Sequence, residues 1–227
     1  EHFSIWSVIK NYRKEDIEKI ILTASGGPFL NKKIKKDTSP NDAIKHPNWE
    51  MGKKISIDSA TLMNKVFEVI EAKKIFNLNI DKFKIIIHPK SYIHAIVHFK
   101  NGLVKFLAHD TDMAVPIMNS LYANKLFDYN DKNLNFMLMN GLNFIKPDIK
   151  KFPVIKILNI LPKKSTYFET ILITINDYLV GKYLNGKINY KSLNVNLIKL
   201  IKTPYFARYY RIGPKNLIDI KIMVKKV

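Results

Sequence analysis

The chain has 227 residues, of which 47% are hydrophobic and 11% aromatic, a composition typical of a folded globular protein. No apolar run approaches about 18 residues without a charge, so we expect no membrane-spanning helix, and the absence of cysteine excludes disulfides and cysteine-based metal or redox chemistry. Of the 38 basic residues behind the net charge of +19, 35 are lysine, and base recognition favours arginine, so we expect no nucleic-acid partner.

The first third of the chain contains two predicted strands and two predicted helices. The apolar run IEKIILTA at 17–24 meets the turn SGGPF at 25–29, which predicts a strand that ends at two glycines. Ser39-Pro40 predicts the start of a helix over 41–45. The alternating run KKISI at 53–57 predicts a second strand, followed by a helix over 59–72 with Ser59 as its N-cap.

The middle of the chain predicts a small sheet. FKIIIH at 83–88 has the composition of a strand, and the runs at 91–99 and 103–108 flank Asn101-Gly102, a strong hairpin signal. Because strands and helices alternate, we expect an α/β or α+β domain with a small sheet over 1–123.

The last third predicts helices. We expect a linker over 124–149, where no periodicity is clear, and a helical bundle over 150–227 with short connections. The predicted helices cover 152–161, 167–184, 192–202 and 216–227.

A narrow polar stripe is predicted on the helix over 59–72. With Ser59 nearby, an amide and an ammonium suit a phosphate, and Glu68 suits a hard cation bound through oxygen. The alternative is an ordinary Lys–Glu surface pair worth about 0.2–0.5 kcal/mol, and spacing alone favours it. The stripe consists of Asn64, Lys65, Glu68 and Glu71.

Two loops and a group of histidines are further candidates. The glycines of SGGPF let the backbone approach a phosphate, although most Gly-Gly pairs are simple turns. HPNWEMG at 46–52 is either a lid over a ligand or a loop anchored in the core by Trp49. His94 and His98 lie in a predicted strand, where alternation puts them on one side about 13 Å apart, too far for one tetrahedral zinc ion.

Taken together, these stretches carry a resemblance that none carries alone. ILTASGGPF, HPNWEMGKKISIDSATLMNK, FEVIEAKKIF, IHPKSYIHAIVHF and the Asp-Met of DTDM occur in one order. They resemble the 1-deoxy-D-xylulose 5-phosphate reductoisomerase family, densely over 1–115 and thinly afterwards. The pattern HPNW-x-MG-x-K-x-S-x-DSAT-x-MNK is long and specific.

The resemblance implies an enzyme of isoprenoid precursor synthesis. Members are homodimers that isomerise 1-deoxy-D-xylulose 5-phosphate and reduce the product with NADPH to 2-C-methyl-D-erythritol 4-phosphate. Their architecture implies that 1–123 is a catalytic and dimerisation domain, and that an NADPH-binding domain is missing from this chain. We therefore expect a piece of a longer protein, inactive by itself, and a cytoplasmic location.

The resemblance assigns one set of residues to the substrate. Ser25, Ser59, Asn64 and Lys65 match the family's phosphate-holding residues, and His94 matches a histidine near the substrate.

A second set of residues is assigned to the metal ion, to the cofactor and to the flap, which is the loop HPNWEMG at 46–52. His46 matches a flap histidine that reaches the phosphate, while Trp49 and Met51 match flap residues that cover the substrate. Glu68 matches a carboxylate ligand of the catalytic Mg²⁺ or Mn²⁺, and together with His46, Trp49 and Met51 it is a candidate catalytic residue. Glu1 matches a second ligand in the family's Asp-Ser-Glu-His motif, whose Asp would lie two residues earlier. Met113 is placed beside the closed site, on the cofactor side.

The chain departs from the family pattern at several positions. Val66 replaces a usual Gly, Lys90 a Gln and Thr111 a Pro, and the bundle's Asn-Ala-Ala-Asn-Glu is reduced to Asn176-Asp177. These changes indicate relaxed constraints, or reduced activity, around the bundle's part of the pocket.

The competing hypothesis is a non-catalytic basic module that binds nucleic acid or a protein partner. Residues 146–227 hold 17 basic and 4 acidic residues, so a polyanion would contact that third. Such a module would not need Glu68.

Overall fold

The computed structural model describes residues 1–35, 38–46, 50–122 and 136–227. Their contacts form two compact units: unit 1 comprises residues 1–26 and 67–147, and unit 2 comprises residues 27–66 and 148–227. These units group residues that contact one another and do not test the predicted division into a catalytic domain over 1–123, a linker over 124–149 and a helical bundle over 150–227, which stays a prediction. The elements, in chain order, are α1 (His2–Ile9), β1 (Ile17–Ala24), α2 (Pro40–Ala43), α3 (Lys53–Thr61), α4 (Met63–Phe76), β2 (Phe83–Ile87), β3 (Ile93–Phe99), β4 (Val104–Ala108), α5 (Ala114–Tyr122), α6 (Phe136–Met139), α7 (Tyr167–Leu184), α8 (Tyr190–Ile201), α9 (Pro204–Ala207) and α10 (Leu217–Lys226), with 3₁₀ helices at Lys14–Asp16, Ile80–Lys82 and Pro153–Ile160.

Unit 1 is built on a mixed sheet with strand order β2-β1-β3-β4. β1 pairs with β2 in parallel and with β3 antiparallel, and β3 pairs with β4 antiparallel. The strands predicted at 17–24, 83–88, 91–99 and 103–108 and the hairpin are confirmed. Gly102 at the turn has φ +87°, a conformation that glycine adopts without strain. α1 packs on β3 and β4 and buries Ile5 and Ile9 against them.

A bulge in β3 changes the side to which His94 points. Ile93 pairs with Ala108 and Ala95 with Leu107, so His94 is an extra residue in its strand. His94 is therefore buried, while His98 is partly exposed. The prediction that both histidines share one side assumed unbroken alternation, which the bulge removes.

Unit 2 is mainly helical. α7 begins with a capping box in which Thr166 and Glu169 bond each other's backbone N–H groups, and its apolar face buries Phe168 and Ile171. α8, α9 and α10 each pack on α7, and α8 also packs on the 3₁₀ helix Pro153–Ile160. The prediction of an α/β part with a small sheet and a helical bundle is confirmed. Within the described ranges, no helix combines the length and apolar character that crossing a bilayer needs.

The segment 53–72 differs from the sequence prediction. Residues 53–57 form the start of α3 and not a strand, and Gly52, not Ser59, is the N-cap. A second helix then begins at Met63, because Leu62 turns the chain with φ 63° and ψ 17°. The Thr61 hydroxyl contacts the carbonyls of Ile57 and Asp58 and accepts from Met63 N–H, so a side chain competes with the regular helix ladder.

Candidate functional site

The glycine turn after β1 is fixed by close backbone packing. Gly26 and Gly27 have φ +86° and +65°. A Cβ at Gly27 would lie 2.9 Å from the Ser59 carbonyl oxygen and 3.0 Å from the Ala60 Cα, so only glycine fits against α3. At Gly27 the backbone therefore closely approaches the backbone of α3, and the approach of this turn to a phosphate stays a prediction. Ser25, in unit 1, is half-buried.

The break at Leu62 places Asn64 and Lys65 in the first turn of α4. N–H groups in a first helical turn lack intrahelical acceptors, and the helix dipole gives that end a partial positive charge. Lys65 is 3% exposed, so its ammonium adds charge in a poorly solvated place. A helix start with a buried ammonium and a nearby amide is well suited to an anion such as phosphate. Ser59, also predicted to contact phosphate, is 4% exposed in the last turns of α3.

A buried polar network holds α3 on α7. The Asp58 carboxylate accepts from Asn176 Nδ2 at 2.8 Å and from Lys54 Nζ at 2.9 Å, and Lys54 Nζ also lies 3.0 Å from Asp177 Oδ1. Burial raises the pKa of Asp58, while the hydrogen bonds from Asn176 and Lys54 oppose that rise. Asn176 and Asp177 thus help to position the helix that carries Ser59. The role of Asp58 does not follow from the sequence, because its partner Asn176 lies 118 residues away.

In unit 1, the first residues of the chain lie against α4. His2 Nε2 lies 3.1 Å from the Glu68 carbonyl oxygen and 3.6 Å from Glu71 Oε2. Glu1, the N-cap of α1, is adjacent to His2 in the chain. The contact gives Glu71, the unassigned member of the polar stripe, a partner in His2.

The donor chemistry of Glu1 and Glu68 fits the ion that the family resemblance implies. Both are carboxylates, and carboxylate oxygens are preferred by Mg²⁺ and Mn²⁺. Across the parts of the chain that the structure describes, no group of three or more His, Asp or Glu side chains is arranged to hold a metal ion. Two protein carboxylates nevertheless suit Mg²⁺, which commonly keeps several waters or substrate oxygens among its ligands.

A stacked histidine pair forms a second polar feature of unit 1. The rings of His94 and His109 are 3.7 Å apart and 15° from parallel, and His94 Nε2 lies 3.0 Å from the His109 carbonyl oxygen. Burial and the neighbouring His109 lower the pKa of His94 to about 4, and burial also lowers the pKa of His109. His94 is therefore neutral at pH 7, and donation from Nε2 to the carbonyl leaves Nδ1 as an acceptor. His109 was not identified from the sequence, because its contact with His94 depends on the pairing of β3 with β4 and not on local spacing.

The flap residues are described only in part. His46 is half-buried, burial lowers its pKa, and Met51 is partly exposed in the loop before α3. Trp49 lies outside the described residues. Met113, in unit 1, is 54% exposed just before α5.

Two of the departures from the family pattern have structural explanations. Val66 is fully buried in α4, a position that accepts an apolar side chain. Lys90 Nζ donates to the carbonyl oxygens of Met137 and Asn140, at 2.9 and 2.7 Å, and so caps the end of α6. Nothing in the structure explains Thr111.

Family models match both ends of the chain. The model described as 1-deoxy-D-xylulose 5-phosphate reductoisomerase C-terminal domain matches residues 1–76, and the one described as DXP reductoisomerase C-terminal domain matches residues 109–220.

Curated relatives and solved structures carry the same family name. The 1-deoxy-D-xylulose 5-phosphate reductoisomerase of Pelagibacter ubique is 54% identical over 97% of this chain, and that of Persephonella marina is 37% identical over the whole chain. A crystal structure of DOX-P reductoisomerase with NADPH, fosmidomycin and magnesium matches with a TM-score of 0.89 and 32% identity over 99% of this chain. The Zymomonas mobilis enzyme in complex with NADPH matches with a TM-score of 0.87 and 28% identity over all of it.

The chain is shorter than these relatives. It covers 58% of the Pelagibacter ubique protein and 60% of the Persephonella marina protein. It likewise covers 59% of the DOX-P reductoisomerase chain and 57% of the Zymomonas mobilis chain.

Proposed function

Since the chain belongs to the 1-deoxy-D-xylulose 5-phosphate reductoisomerase family, we propose that it supplies the substrate-binding and metal-binding residues of such an enzyme. The reaction isomerises 1-deoxy-D-xylulose 5-phosphate and reduces the product with NADPH to 2-C-methyl-D-erythritol 4-phosphate. The observation that carries this proposal is the 54% identity with the Pelagibacter ubique reductoisomerase over 97% of the chain. NADPH and magnesium are named for a related structure, and we propose both as cofactors here.

The phosphate of the substrate is assigned to the start of α4. The positive end of the helix, the Asn64 amide and the buried Lys65 ammonium favour a dianion there. The Ser25 and Ser59 hydroxyls are assigned to the same phosphate by the family resemblance. Holding the phosphate tightly contributes binding energy that orients the reacting carbons.

The metal ion is assigned to Glu1 and Glu68. When bound, Mg²⁺ or Mn²⁺ would act as a Lewis acid on the oxygens of the hydroxy-ketone. The chain's own contribution is to hold the carboxylates. His2 holds the start of α1 at the Glu68 carbonyl oxygen, which limits the movement of Glu1 in unit 1.

His94, with the flap residues His46, Trp49 and Met51, is assigned to the substrate. A neutral His94 with Nδ1 as acceptor can accept a hydrogen bond from a substrate hydroxyl without adding charge. The flap residues would exclude water from the reacting carbons, and Met113 would lie on the cofactor side. A homodimer in the cytoplasm, with catalysis and dimerisation over 1–123, completes the proposal.

The test is an assay of the protein as its gene encodes it. We expect oxidation of NADPH that depends on both 1-deoxy-D-xylulose 5-phosphate and Mg²⁺ or Mn²⁺. Lys65→Met should raise KM for this substrate by about 100-fold, because a charged hydrogen bond to phosphate is lost. The same variant should bind Mg²⁺ unchanged. Absence of turnover above background in the unaltered protein would contradict the proposal.

A further inference from the structure

A wide groove in unit 2 has no part in the proposed reaction. Its volume is about 1180 Å³, and it lies between the loop after Phe29, the turn that precedes the 3₁₀ helix Pro153–Ile160 and the first turns of α8. Of the residues assigned above to substrate, metal or cofactor, none that the structure describes lines it.

The groove is strongly basic. Its one carboxylate among the described residues, Asp148, accepts from the Lys150 backbone N–H at 2.8 Å and so caps its own turn. Positive charges gathered around one concave surface produce a field that concentrates small anions. The lysines that line the groove are Lys32, Lys33, Lys35, Lys150, Lys151 and Lys191.

One wall of the groove is fixed in place by Lys151. Its Nζ donates to the carbonyl oxygens of Leu30 and Lys32, at 2.7 and 3.0 Å. These bonds tie the loop after Phe29 to the turn before Pro153, so the lysines on the two segments face a common space before any ligand arrives. Pre-organised charges of this kind reduce the entropy lost on binding.

The start of α8 adds a second positive element. Asn189 caps this helix of 12 residues by accepting from Ser192 N–H, and Lys191 and Ser192 lie in its first turn and line the groove. The unbonded N–H groups of a first turn and the helix dipole both favour a negative ligand.

The lining favours a phosphate chain over a nucleic acid. Within the described lining, the one aromatic residue is Tyr190, which is 1% exposed and donates its hydroxyl to the Ala60 carbonyl oxygen at 2.7 Å. It therefore offers no face on which a base could stack, and no arginine lines the described part. Lysines act as point charges that suit phosphate without selecting a base. We propose that this groove binds small anions that carry two or more phosphate groups, a nucleoside triphosphate or a free polyphosphate chain.

Calorimetric titration of the protein with inorganic tripolyphosphate and with ATP tests this site. We expect both probes to bind. The double variant Lys150→Gln with Lys191→Gln should lower the affinity for each probe by about tenfold or more, because two charged contacts are lost. Tighter binding of ATP than of tripolyphosphate would identify the nucleotide as the preferred ligand. Equal binding would identify the phosphate chain as the part that is recognised, and both outcomes support the site.

The matched control is Lys163→Gln combined with Lys164→Gln. These exposed lysines lie in unit 2 outside the groove. Replacing them removes the same net charge as the groove variant does, and we expect the affinity for either probe to change by about twofold or less. Equal weakening by the two double variants would overturn the proposal, because it would show attraction by net charge alone. Absence of binding by either probe at low salt would also overturn it. The proposal would also be overturned if a short single-stranded RNA bound more tightly than tripolyphosphate and if the groove variant no longer bound that RNA.

Discussion

The two units hold their candidate functional residues in different ways. In unit 2, the start of α4 and the end of α3 depend on a buried carboxylate at Asp58 and on backbone packing at Gly27 that no side chain tolerates. In unit 1, the candidates depend on polar contacts of histidines, such as His2 with Glu68 and His94 with His109. Buried charges and close backbone contacts cost more to remove than partly solvated hydrogen bonds. We therefore expect unit 2 to be the more sensitive to single substitutions.

The largest effect is expected from Asn176→Leu. The change removes a hydrogen bond from the buried Asp58 carboxylate and should lower the free energy of unfolding by about 3–5 kcal/mol. Asp177→Asn is the control, because Asp177 is half-exposed and its contact with Lys54 should be worth less than about 1 kcal/mol. Chemical denaturation measures both, and similar losses from the two variants would contradict the buried network.

Gly27→Ala is expected to cost about 3 kcal/mol. About 1 kcal/mol reflects the left-handed backbone, and the rest reflects the Cβ that would lie 2.9 Å from the Ser59 oxygen. Gly186→Ala isolates the second contribution, because Gly186 has φ +70° with no atom near its Cβ position. The difference between the denaturation midpoints of the two variants measures the cost of the contact between the added Cβ and α3. Equal midpoints would show that α3 moves aside.

In unit 1, acid should cost stability through His94. Its pKa in the folded protein is about 4, below the ordinary value of 6.5, so the unfolded chain takes up a proton first as the pH falls. About 3 kcal/mol of unfolding free energy that is present above pH 6.5 should be lost as the pH falls towards 4. His94→Gln should flatten this part of the profile of unfolding free energy against pH. If the unfolding free energy of His94→Gln varied with pH as steeply as that of the unaltered protein, His94 would not be the cause of the acid sensitivity.

The smallest effect is expected from Lys90→Met. The ammonium caps two carbonyl groups at the end of α6 from a partly exposed position, so its loss should cost about 0.5–1 kcal/mol. Lys90→Gln, which restores the residue usual in the family, keeps a donor and should cost less. Denaturation midpoints distinguish the two, and a loss as large as that of Asn176→Leu would reverse the comparison between the units.

Sequence patterns predicted the elements that local signals determine. The hairpin at Asn101-Gly102 and the helix Tyr167–Leu184 follow from a turn dipeptide and from a clear apolar periodicity. Residues 53–57 alternate like a strand, yet they form a helix because their burial is set by contacts elsewhere in unit 2. The left-handed turn at Leu62 has no sequence signal, since leucine rarely adopts it.

The candidate site was predictable to the extent that the family motif names residues. Motifs name Lys65 and Glu68, but they do not reveal the contacts that hold such residues. Asp58 meets Asn176 across 118 positions, and His2 meets Glu68 across 66, so neither pair follows from local spacing. The bulge at His94 is likewise a property of strand pairing and not of the sequence around it.

The central claim is that Glu68 binds the catalytic metal ion while Glu71, three residues later, does not. Glu68→Gln and Glu71→Gln remove the same charge from the same helix, so assays of both at varied Mg²⁺ isolate the ligand role. We expect Glu68→Gln to lower kcat/KM by about 100-fold or more and to raise the Mg²⁺ concentration needed for half-maximal rate. Glu71→Gln should stay within about threefold of the unaltered protein, because it loses a partly exposed contact with His2. Equal losses in the two variants, or an unchanged response of Glu68→Gln to Mg²⁺, would contradict the claim.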